Sequence, residues 1–244
     1  MELRGKNALV TGAARRVGRA VALALAERGV NLAVHCRRSV QEARALAREL
    51  RARFGVQAEV FKAGLESVDE TERMAASVLK KFKVAHILVN NASVYEKNEF
   101  GRTSAADWNK HLDANLRAPF FLSQALAPAM RRAGRGKIIN IADWAGLRPQ
   151  TDHIPYYASK AGLLCLNTAL AKALAPKILV NAVLPGPVLL PEGSSREKAR
   201  LIARATLLKR VGSPQDVARA VVFLLENDFI TGAALPVDGG RLVA

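Results

Sequence analysis

The fold of this chain is decided by one stretch, Asn7-Ala-Leu-Val-Thr-Gly-Ala-Ala-Arg-Arg-Val-Gly18. Its first four residues have the composition of a short buried strand, and residues 11–18 form a glycine-containing turn. Apolar residues then recur at helical spacing from Arg19 to Arg28, where Gly29 ends the pattern. A glycine-containing turn that opens a helix points backbone N–H groups and the helix dipole at a phosphate. The stretch therefore predicts a phosphate-binding strand–turn–helix unit, with a plain strand-to-helix turn as the alternative.

The same alternation of strand and helix continues to the end of the chain. Further strands are predicted at 30–34, 56–61, 86–90, 136–141, 177–183 and near 233–237. Helices are predicted at 40–54, 67–83, 103–132, 155–174 and after Ser213, which is the expected cap. This order predicts an α/β fold: a doubly wound, Rossmann-like parallel sheet of about seven strands, flanked by helices in a single domain over residues 1–244.

Two irregularities interrupt this pattern. Pro119 and Pro128 predict a kink or break in the helical segment 103–132, because proline lacks the N–H that a helix interior needs. The segment 187–212 is too long for a simple connection, and we interpret it as a mobile lid over the site.

Composition is typical of a globular protein without membrane segments. Half of the 244 residues are hydrophobic, yet no apolar run reaches the roughly 18 residues that span a bilayer. The first residues lack the apolar core of a secretory signal. Cys36 and Cys165 provide neither a disulfide framework nor metal-ligand spacing, so no metal site is predicted. We therefore expect a cytoplasmic protein with no membrane partner.

The formal net charge of +16 raises the question of a nucleic-acid partner. The basic residues are spread along the chain, mostly within helical patterns such as residues 43–53, and no basic block with interleaved aromatic residues occurs. The charge therefore favours a basic surface that attracts a polyanionic cofactor, and no nucleic-acid partner is expected.

The end of the second predicted strand indicates the cofactor. An NAD enzyme of this fold has an acidic residue there for the ribose 2′-hydroxyl. This chain instead reads His35-Cys-Arg37-Arg38-Ser39, and guanidinium groups bind phosphate through paired hydrogen bonds. The sequence therefore predicts NADP(H), unless these arginines only begin the basic helix that follows.

A candidate acid–base site follows the fifth predicted strand. Tyr156 and Lys160 stand four residues apart, which places both side chains on one face of a helix. An ammonium near a phenol favours the phenolate and lowers a pKa that is ordinarily about 10. Asp143 lies thirteen residues before Tyr156. Taken alone, these residues also fit a surface Tyr/Lys pair and an aspartate that caps a turn.

Together, these motifs resemble the short-chain dehydrogenase/reductase family over nearly the whole chain. The shared markers are, in chain order, Thr11-Gly12 with Gly18, Asn90-Asn91-Ala92, Asn115, Tyr156 with Lys160, Pro185-Gly186 and Asp238-Gly-Gly240. Ordinary members have glycine where this chain has Arg16, and serine where it has Asp143.

Both departures make the chain similar to the pteridine reductases within that family. Four features of that subgroup are present: Arg16 in the glycine turn, the set His35, Arg38 and Ser39, Asn90-Asn91-Ala92-Ser93 followed by Tyr95, and Asp143 ahead of Tyr156. The aromatic residue is usually phenylalanine in the subgroup, and the lid matches it poorly. The resemblance implies NADPH-dependent reduction of a pteridine ring, either a dihydropterin such as biopterin or a dihydrofolate-like ring.

The resemblance also implies a role for each site residue. Tyr156 donates a proton, Lys160 holds the nicotinamide ribose and lowers the pKa of Tyr156, and Asn115 holds a water that connects Lys160 to solvent. With Asp143 these form the catalytic set. The implied cofactor-binding residues are Gly12, Arg15, Arg16, Val17, Gly18, His35, Arg37, Arg38, Ser39, Leu65, Asn91, Ala92, Ser93, Tyr156, Lys160, Pro185, Gly186 and Val188. The implied substrate-binding residues are Arg16, Ser93, Tyr95, Asp143 and Tyr156.

Two further expectations come from the family. It often has an aspartate at the position of Gly64 to contact adenine, and here only backbone near Leu65 can take its place. The family usually forms tetramers through the helices that bear Asn115 and Tyr156, so a homotetramer is expected.

Asp143 bears most directly on the substrate. An ionised carboxylate at this position repels the oxyanion that develops in ketone reduction, unless burial keeps it protonated. A pteridine instead has ring nitrogens that gain protons and amino N–H groups that donate to a carboxylate. We therefore expect a pteridine reductase. The alternatives are a carbonyl reductase acting on 3-oxoacyl thioesters or small ketones, and a non-catalytic NADP- or nucleic-acid-binding Rossmann protein.

Overall fold

The structure is a seven-stranded sheet between two layers of helices. It is a computed structural model that describes residues 1–190, 193 and 195–244. Its strands are β1 (Asn7–Val10), β2 (Asn31–Cys36), β3 (Ala58–Lys62), β4 (Ile87–Asn90), β5 (Gly136–Ile141), β6 (Ile178–Pro185) and β7 (Ala234–Val237). Its α-helices are α1 (Arg16–Glu27), α2 (Val40–Phe54), α3 (Val68–Phe82), α4 (Ala105–Leu112), α5 (Ala118–Arg132), α6 (Ile154–Leu174), α7 (Arg196–Arg204) and α8 (Pro214–Glu226). Within the described residues, no helix combines the length and apolarity needed to cross a bilayer.

All strand pairs are parallel, and the strand order is β3-β2-β1-β4-β5-β6-β7. Successive side chains of a strand point to opposite faces, so the apolar run of β1 is buried on both sides. Val10 packs with Leu25 of α1 and Val221 of α8 on one face. Leu9 packs with Leu122 of α5 on the other. The predicted single-domain, doubly wound α/β fold is therefore confirmed.

Several predicted boundaries differ from the observed ones by one to three residues, those of α1 and β6 among them. Helix α1 begins at Arg16 and not at Arg19, because only Arg15 before it has the extended backbone of a cap. Strand β6 continues to Pro185, two residues beyond the predicted end, because its pairing with β7 extends to Pro185 opposite Val237.

The irregularity predicted in the segment 103–132 lies directly before Pro119. A π-helical turn, Asp113–Arg117, separates α4 from α5, and the helical backbone is continuous through it. Pro119 cannot donate to the carbonyl of Asn115 four residues earlier, so a locally widened helix at this point accommodates the proline. Helix α5 continues through Pro128 without a break.

The segment 187–212, predicted to be a lid, contains α7. Every residue of α7 is at least partly exposed, so this helix adds little to the core. Pro191, Glu192 and Ser194 of the segment lie outside the described residues. At its end, buried Thr206 accepts a hydrogen bond from the Arg210 N–H at 3.3 Å and donates to Ala203 O at 2.8 Å. The lid function remains a prediction.

Candidate active site

The carboxyl ends of β1 and β4 meet where the strand order reverses, which is where open α/β sheets bind ligands. Thr11 and Asn91 join these two ends. Asn91 Nδ2 donates to Thr11 O at 2.8 Å, and the N–H groups of Asn91 and Ala92 donate to Thr11 Oγ1 at 2.8 and 2.9 Å. The structure therefore brings the predicted residues Gly12, Asn91 and Ala92 into one crevice.

The turn between β1 and α1 forms a cradle at this crevice. A methyl group on Gly18 would overlap Gly12 O and come within 2.6 Å of Asn91 Nδ2, so only glycine fits. No side chain in the described part of the chain caps the start of α1. The N–H groups of its first turn, including half-buried Val17, therefore remain available to an anion. A cofactor phosphate fits this cradle.

Arg16 lies in the same turn with a backbone φ of 54°, in the left-handed region. For a residue other than glycine this conformation costs about 1–2 kcal/mol, and such strain concentrates at functional sites. The side chains of Arg15 and Arg16 are both exposed, and Arg15 Nη1 lies 3.7 Å from Glu42 Oε1. The strained backbone thus presents a guanidinium beside the cradle, where glycine would present none.

His35 is buried between two backbone groups. Its Nδ1 accepts a hydrogen bond from the Gly12 N–H at 3.0 Å, and its Nε2 lies 3.2 Å from Ala63 O, to which it donates. Burial lowers the pKa of His35 to about 4. Because both ring nitrogens are used, the structure gives His35 a role in positioning the Gly12 turn in place of the predicted phosphate contact.

This burial predicts a pH-dependent stability. As the pH falls from 7, the unfolded chain binds a proton at His35 near pH 6.5, whereas the folded chain binds it only near pH 4. His35 should therefore remove about 3 kcal/mol from the free energy of unfolding between pH 7 and pH 4. His35→Asn keeps an acceptor for Gly12 but cannot titrate. In urea denaturation, the free energy of unfolding of the wild type minus that of the variant should fall by this amount between pH 7 and pH 4. A difference that stays constant with pH would contradict the assignment.

The predicted 2′-phosphate residues lie at the end of β2. Arg37 and Arg38 are exposed, and Ser39 precedes α2 with a hydroxyl that does not cap the helix. Arg37 already has a partner, because its Nη1 lies 2.5 Å from Glu66 Oε1. The side chain of Leu65 is buried in the core, and a contact of its backbone with adenine remains a prediction.

The end of β5 and the start of α6 bring Asp143, Tyr156 and Lys160 together. The Tyr156 hydroxyl donates to Asp143 Oδ2 at 2.7 Å. Lys160 Nζ donates to Ile141 O at 2.8 Å and lies 5.6 Å from the centre of the Tyr156 ring. Asp143 Oδ1 also accepts from the Ala145 N–H at 2.8 Å and so caps the 3₁₀ turn that follows. Asp143 therefore caps this turn with one carboxylate oxygen and accepts from Tyr156 with the other.

The electrostatics of this trio keep the tyrosine protonated. Burial, followed by the charge of Asp143 and its hydrogen bond, raises the pKa of Tyr156 well above its ordinary value. Burial also raises the pKa of Asp143, and it lowers the pKa of Lys160 to about 8 against the attraction of Asp143. The predicted lowering of the Tyr156 pKa by Lys160 is wrong for this structure, because burial and then the hydrogen-bonded Asp143 carboxylate both raise that pKa.

Asn115 lies in the π-helical turn and holds the loop after β4. Its Oδ1 accepts from the Val94 N–H at 2.7 Å, and its Nδ2 donates to Val94 O at 2.9 Å and to Ser159 Oγ at 3.0 Å. Both amide hydrogens are used inside the protein. The side chain therefore holds this loop against α6, and the role of Asn115 in holding a water for Lys160 remains a prediction.

Tyr95 projects from the same loop beside the catalytic tyrosine. Its ring is stacked on His153 with centres 4.2 Å apart, and it meets Tyr156 edge-on at 4.7 Å. The side chain is nevertheless 58% exposed, and Ser93 next to it is exposed as well. One face of Tyr95 is therefore covered by His153, while more than half of the side chain remains accessible.

Sequence reasoning missed three residues around this platform: His111, His153 and Tyr157. The Tyr157 hydroxyl donates to Asp152 Oδ1 at 2.9 Å, and His153 Nδ1 lies 3.0 Å from the same oxygen. His111 Nε2 accepts from the Glu96 N–H at 3.3 Å. His153 and Tyr157 flank Tyr156 in the sequence, which was an available signal. The contact of His111 joins residues fifteen apart across a loop, so no local pattern indicates it.

The end of β6 forms the opposite wall of the crevice. Pro185 and Val188 are buried, and a methyl group on Gly186 would come within 2.5 Å of Asp238 Cα. Glycine is therefore required where two backbone segments cross. The structure thus places these predicted residues along one edge of the site, on the side of the segment 187–212.

Arg241 connects this wall to the catalytic turn. Its guanidinium lies 5.0 Å from the centre of the Trp144 ring and donates to Ala205 O at 3.0 Å. Trp144 directly follows Asp143, and Ala205 directly follows α7. If the segment 187–212 moves as a lid, it must therefore either break the hydrogen bond between Arg241 and Ala205 O or move Arg241 with it.

Buried asparagines tie the catalytic helix to the sheet. Asn90 Nδ2 donates to Asn140 Oδ1 at 2.9 Å, Asn140 Nδ2 to Asn167 Oδ1 at 3.1 Å, and Asn167 Nδ2 to Ala233 O at 3.3 Å. These hydrogen bonds link the end of β4 to β5 and β5 to α6. It fixes α6, and hence Tyr156 and Lys160, relative to the cofactor loop at Asn91.

Comparison with known proteins follows this architecture. The protein family described as enoyl-(acyl carrier protein) reductase matches residues 12–241. The 3-oxoacyl-acyl-carrier-protein reductase of Staphylococcus epidermidis is 35% identical over 240 residues, covering 96% of this chain and 98% of that protein.

Among solved structures, the FolM alternative dihydrofolate reductase 1 of Brucella canis, complexed with NADP, is 32% identical with a TM-score of 0.94. The match covers 100% of this chain and 96% of that one. A blue fluorescent protein from a metagenomic library, in complex with NADPH, is 30% identical with a TM-score of 0.90 over 99% of both chains. From the Tyr156–Lys160 helix, the glycine cradle and these full-length matches, we conclude that the chain belongs to the short-chain dehydrogenase/reductase family.

Proposed function

We propose that this protein is an NADPH-dependent pteridine reductase acting on a dihydropterin or a dihydrofolate-like ring. One observation carries the proposal: the Tyr156 hydroxyl donates to the Asp143 carboxylate at 2.7 Å. A carboxylate at this position accepts from amino N–H groups of a pterin, whereas it repels the oxyanion of a ketone. The match to a dihydrofolate reductase that binds NADP supports the same assignment.

The cofactor supplies a hydride, and the crevice has the groups to hold it. The N–H groups at the start of α1 would bind its pyrophosphate. Arg37, Arg38 and the unengaged Ser39 hydroxyl would bind the 2′-phosphate. Lys160 would hold the nicotinamide ribose by turning from Ile141 O. The NADP and NADPH bound in two solved relatives support this choice of cofactor.

Tyr156 then acts as the proton donor. The C=N bond of the ring gains a hydride at carbon and the Tyr156 proton at the adjacent nitrogen, and becomes CH–NH. Lys160, whose pKa of about 8 keeps it mostly protonated at neutral pH, stabilises the phenolate that remains. The exposed Tyr95 side chain would pack against the ring, and Arg16 and Ser93 would meet its edge.

A carbonyl reductase is the second candidate, since the Staphylococcus epidermidis 3-oxoacyl-acyl-carrier-protein reductase is 35% identical over nearly full length. Asp143 can serve this reaction only when protonated, a form that its raised pKa favours. A non-catalytic binding protein is disfavoured, because binding alone needs no Tyr156–Asp143 proton donor.

A substrate panel separates the two enzymes. NADPH oxidation should be measured with dihydrobiopterin, dihydrofolate, an acetoacetyl thioester and a small ketone under one condition. We expect kcat/KM for a pterin or folate to exceed that for the thioester by about tenfold or more, a difference of about 1.4 kcal/mol in the transition state. Ketone turnover without pterin turnover would assign the protein to carbonyl reduction.

We also propose that the protein assembles as a homotetramer through the helices that bear Asn115 and Tyr156. Trp108 on α4 and Phe120 on α5 expose 43% and 38% of their surface beside the π-helical turn. Exposed aromatic groups of this kind favour association, because contact removes them from water.

A further inference from the structure

Glu66 occupies the region where the cofactor 2′-phosphate is expected. Its Oε1 lies 2.5 Å from Arg37 Nη1, and its side chain is only 24% exposed. The adjacent strands fix this proximity, because β2 and β3 pair in parallel with Cys36 opposite Lys62. Arg37 follows the first strand, and Glu66 follows the second.

The backbone that carries Glu66 is held in place. Arg117 Nη2 donates to Glu66 O at 2.9 Å, and the Gly64 N–H donates to Glu70 Oε2 at 2.6 Å. Ser67, the next residue, caps α3 by accepting from the Glu70 N–H. The backbone that carries the carboxylate is therefore held beside Arg37.

We propose that Glu66 is a specificity-determining residue that competes with the cofactor 2′-phosphate for Arg37. The inference rests on the proposed use of NADPH, and it does not depend on the substrate. A 2′-phosphate must displace the carboxylate from Arg37 and then lie near a like charge. A ribose 2′-hydroxyl needs neither change, since the Arg37–Glu66 pair can stay intact beside it. Glu66 therefore weakens NADPH binding more than NADH binding.

The test is equilibrium binding with Glu66→Gln, which keeps the shape and removes the charge. Dissociation constants are measured for NADPH and NADH, and for the fragments 2′,5′-ADP and 5′-AMP, without any substrate. We expect NADPH and 2′,5′-ADP to bind about fivefold to tenfold more tightly, and NADH and 5′-AMP to change less than about twofold. The gain should shrink at high salt, because the 2′-phosphate site is partly exposed.

Two control variants sharpen the comparison. Glu72→Gln removes the same charge from an exposed position on α3 and should leave all four constants nearly unchanged. In an Arg37→Gln background, Glu66→Gln should lose most of its effect. The proposal would be overturned if Glu66→Gln tightened NADPH and NADH binding equally, and 2′,5′-ADP and 5′-AMP binding equally. It would also be overturned if no dissociation constant changed. Weaker NADH binding with unchanged NADPH binding would also overturn it. If wild type binds no NADPH, the proposed cofactor itself fails, whereas failure of the pterin panel leaves this test intact.

Discussion

Tyr156→Phe should reduce kcat for the pterin by about 10²–10⁴-fold, the usual contribution of a positioned proton donor. The change removes only the hydroxyl that donates to Asp143. The ring keeps its contacts with Tyr95 and Tyr157, whose centres lie 4.7 and 5.7 Å away. The dissociation constant for NADPH should therefore change little. Single-turnover NADPH oxidation separates the chemical step from binding.

The matched control for this variant is the neighbouring residue. Tyr157→Phe removes a hydroxyl that donates to Asp152 at 2.9 Å, so it makes the same chemical change one position along α6. We expect it to keep most of the wild-type kcat. If Tyr156→Phe retained more than about a tenth of the turnover, or if both variants fell equally, Tyr156 would not be the proton donor.

Asp143→Ser should shift activity from pterins to carbonyl compounds. Loss of the carboxylate removes an acceptor for pterin amino groups, so kcat/KM for the pterin should fall by about 10²-fold, or about 3 kcal/mol. A serine hydroxyl can instead donate to an oxyanion, so turnover of the acetoacetyl thioester should rise from its wild-type level. The ratio of the two kcat/KM values is the quantity to measure.

Asp143→Asn provides the control for charge. It keeps one oxygen, which can still accept from the Ala145 N–H, so the fold around the 3₁₀ turn should persist. The other oxygen, which accepts from Tyr156, becomes an amide nitrogen that can only donate to the hydroxyl. If the negative charge matters, the asparagine variant should lose pterin activity as the serine variant does. Pterin turnover that survives in Asp143→Ser would remove Asp143 from the substrate-binding set and weaken the whole assignment.

The sequence predicted the fold well because its signals were local. The α2 limits Val40–Phe54 coincide with the predicted 40–54, since a glycine ends the basic helix in the left-handed conformation. The irregularity near Asn115 lies directly before Pro119, one of the two prolines named, whereas Pro128 causes no break. Proline is a strong local signal, whereas the π-helical turn is accompanied by contacts to Val94 and Ser159 that lie far away in sequence.

The sequence indicated which acid–base side chains lie close together, but it did not indicate most of the hydrogen bonds and ion pairs that they and their neighbours form. Motif spacing could bring Asp143, Tyr156 and Lys160 together, and the structure does so. It could not show that Lys160 faces Ile141 O, that Glu66 pairs with Arg37 or that His35 is buried. Burial and pairing depend on which strands become neighbours. The direction of a pKa shift therefore followed from the structure and not from the residue types alone.

The backbone of Arg16 reduces the number of further substitutions that this chain can accept. Globular domains are stable by only about 5–15 kcal/mol, and a left-handed arginine uses about 1–2 kcal/mol of that margin. Selection removes variants that fall below the threshold needed to stay folded. A chain with arginine at this turn therefore tolerates fewer destabilising substitutions elsewhere than the same chain with glycine.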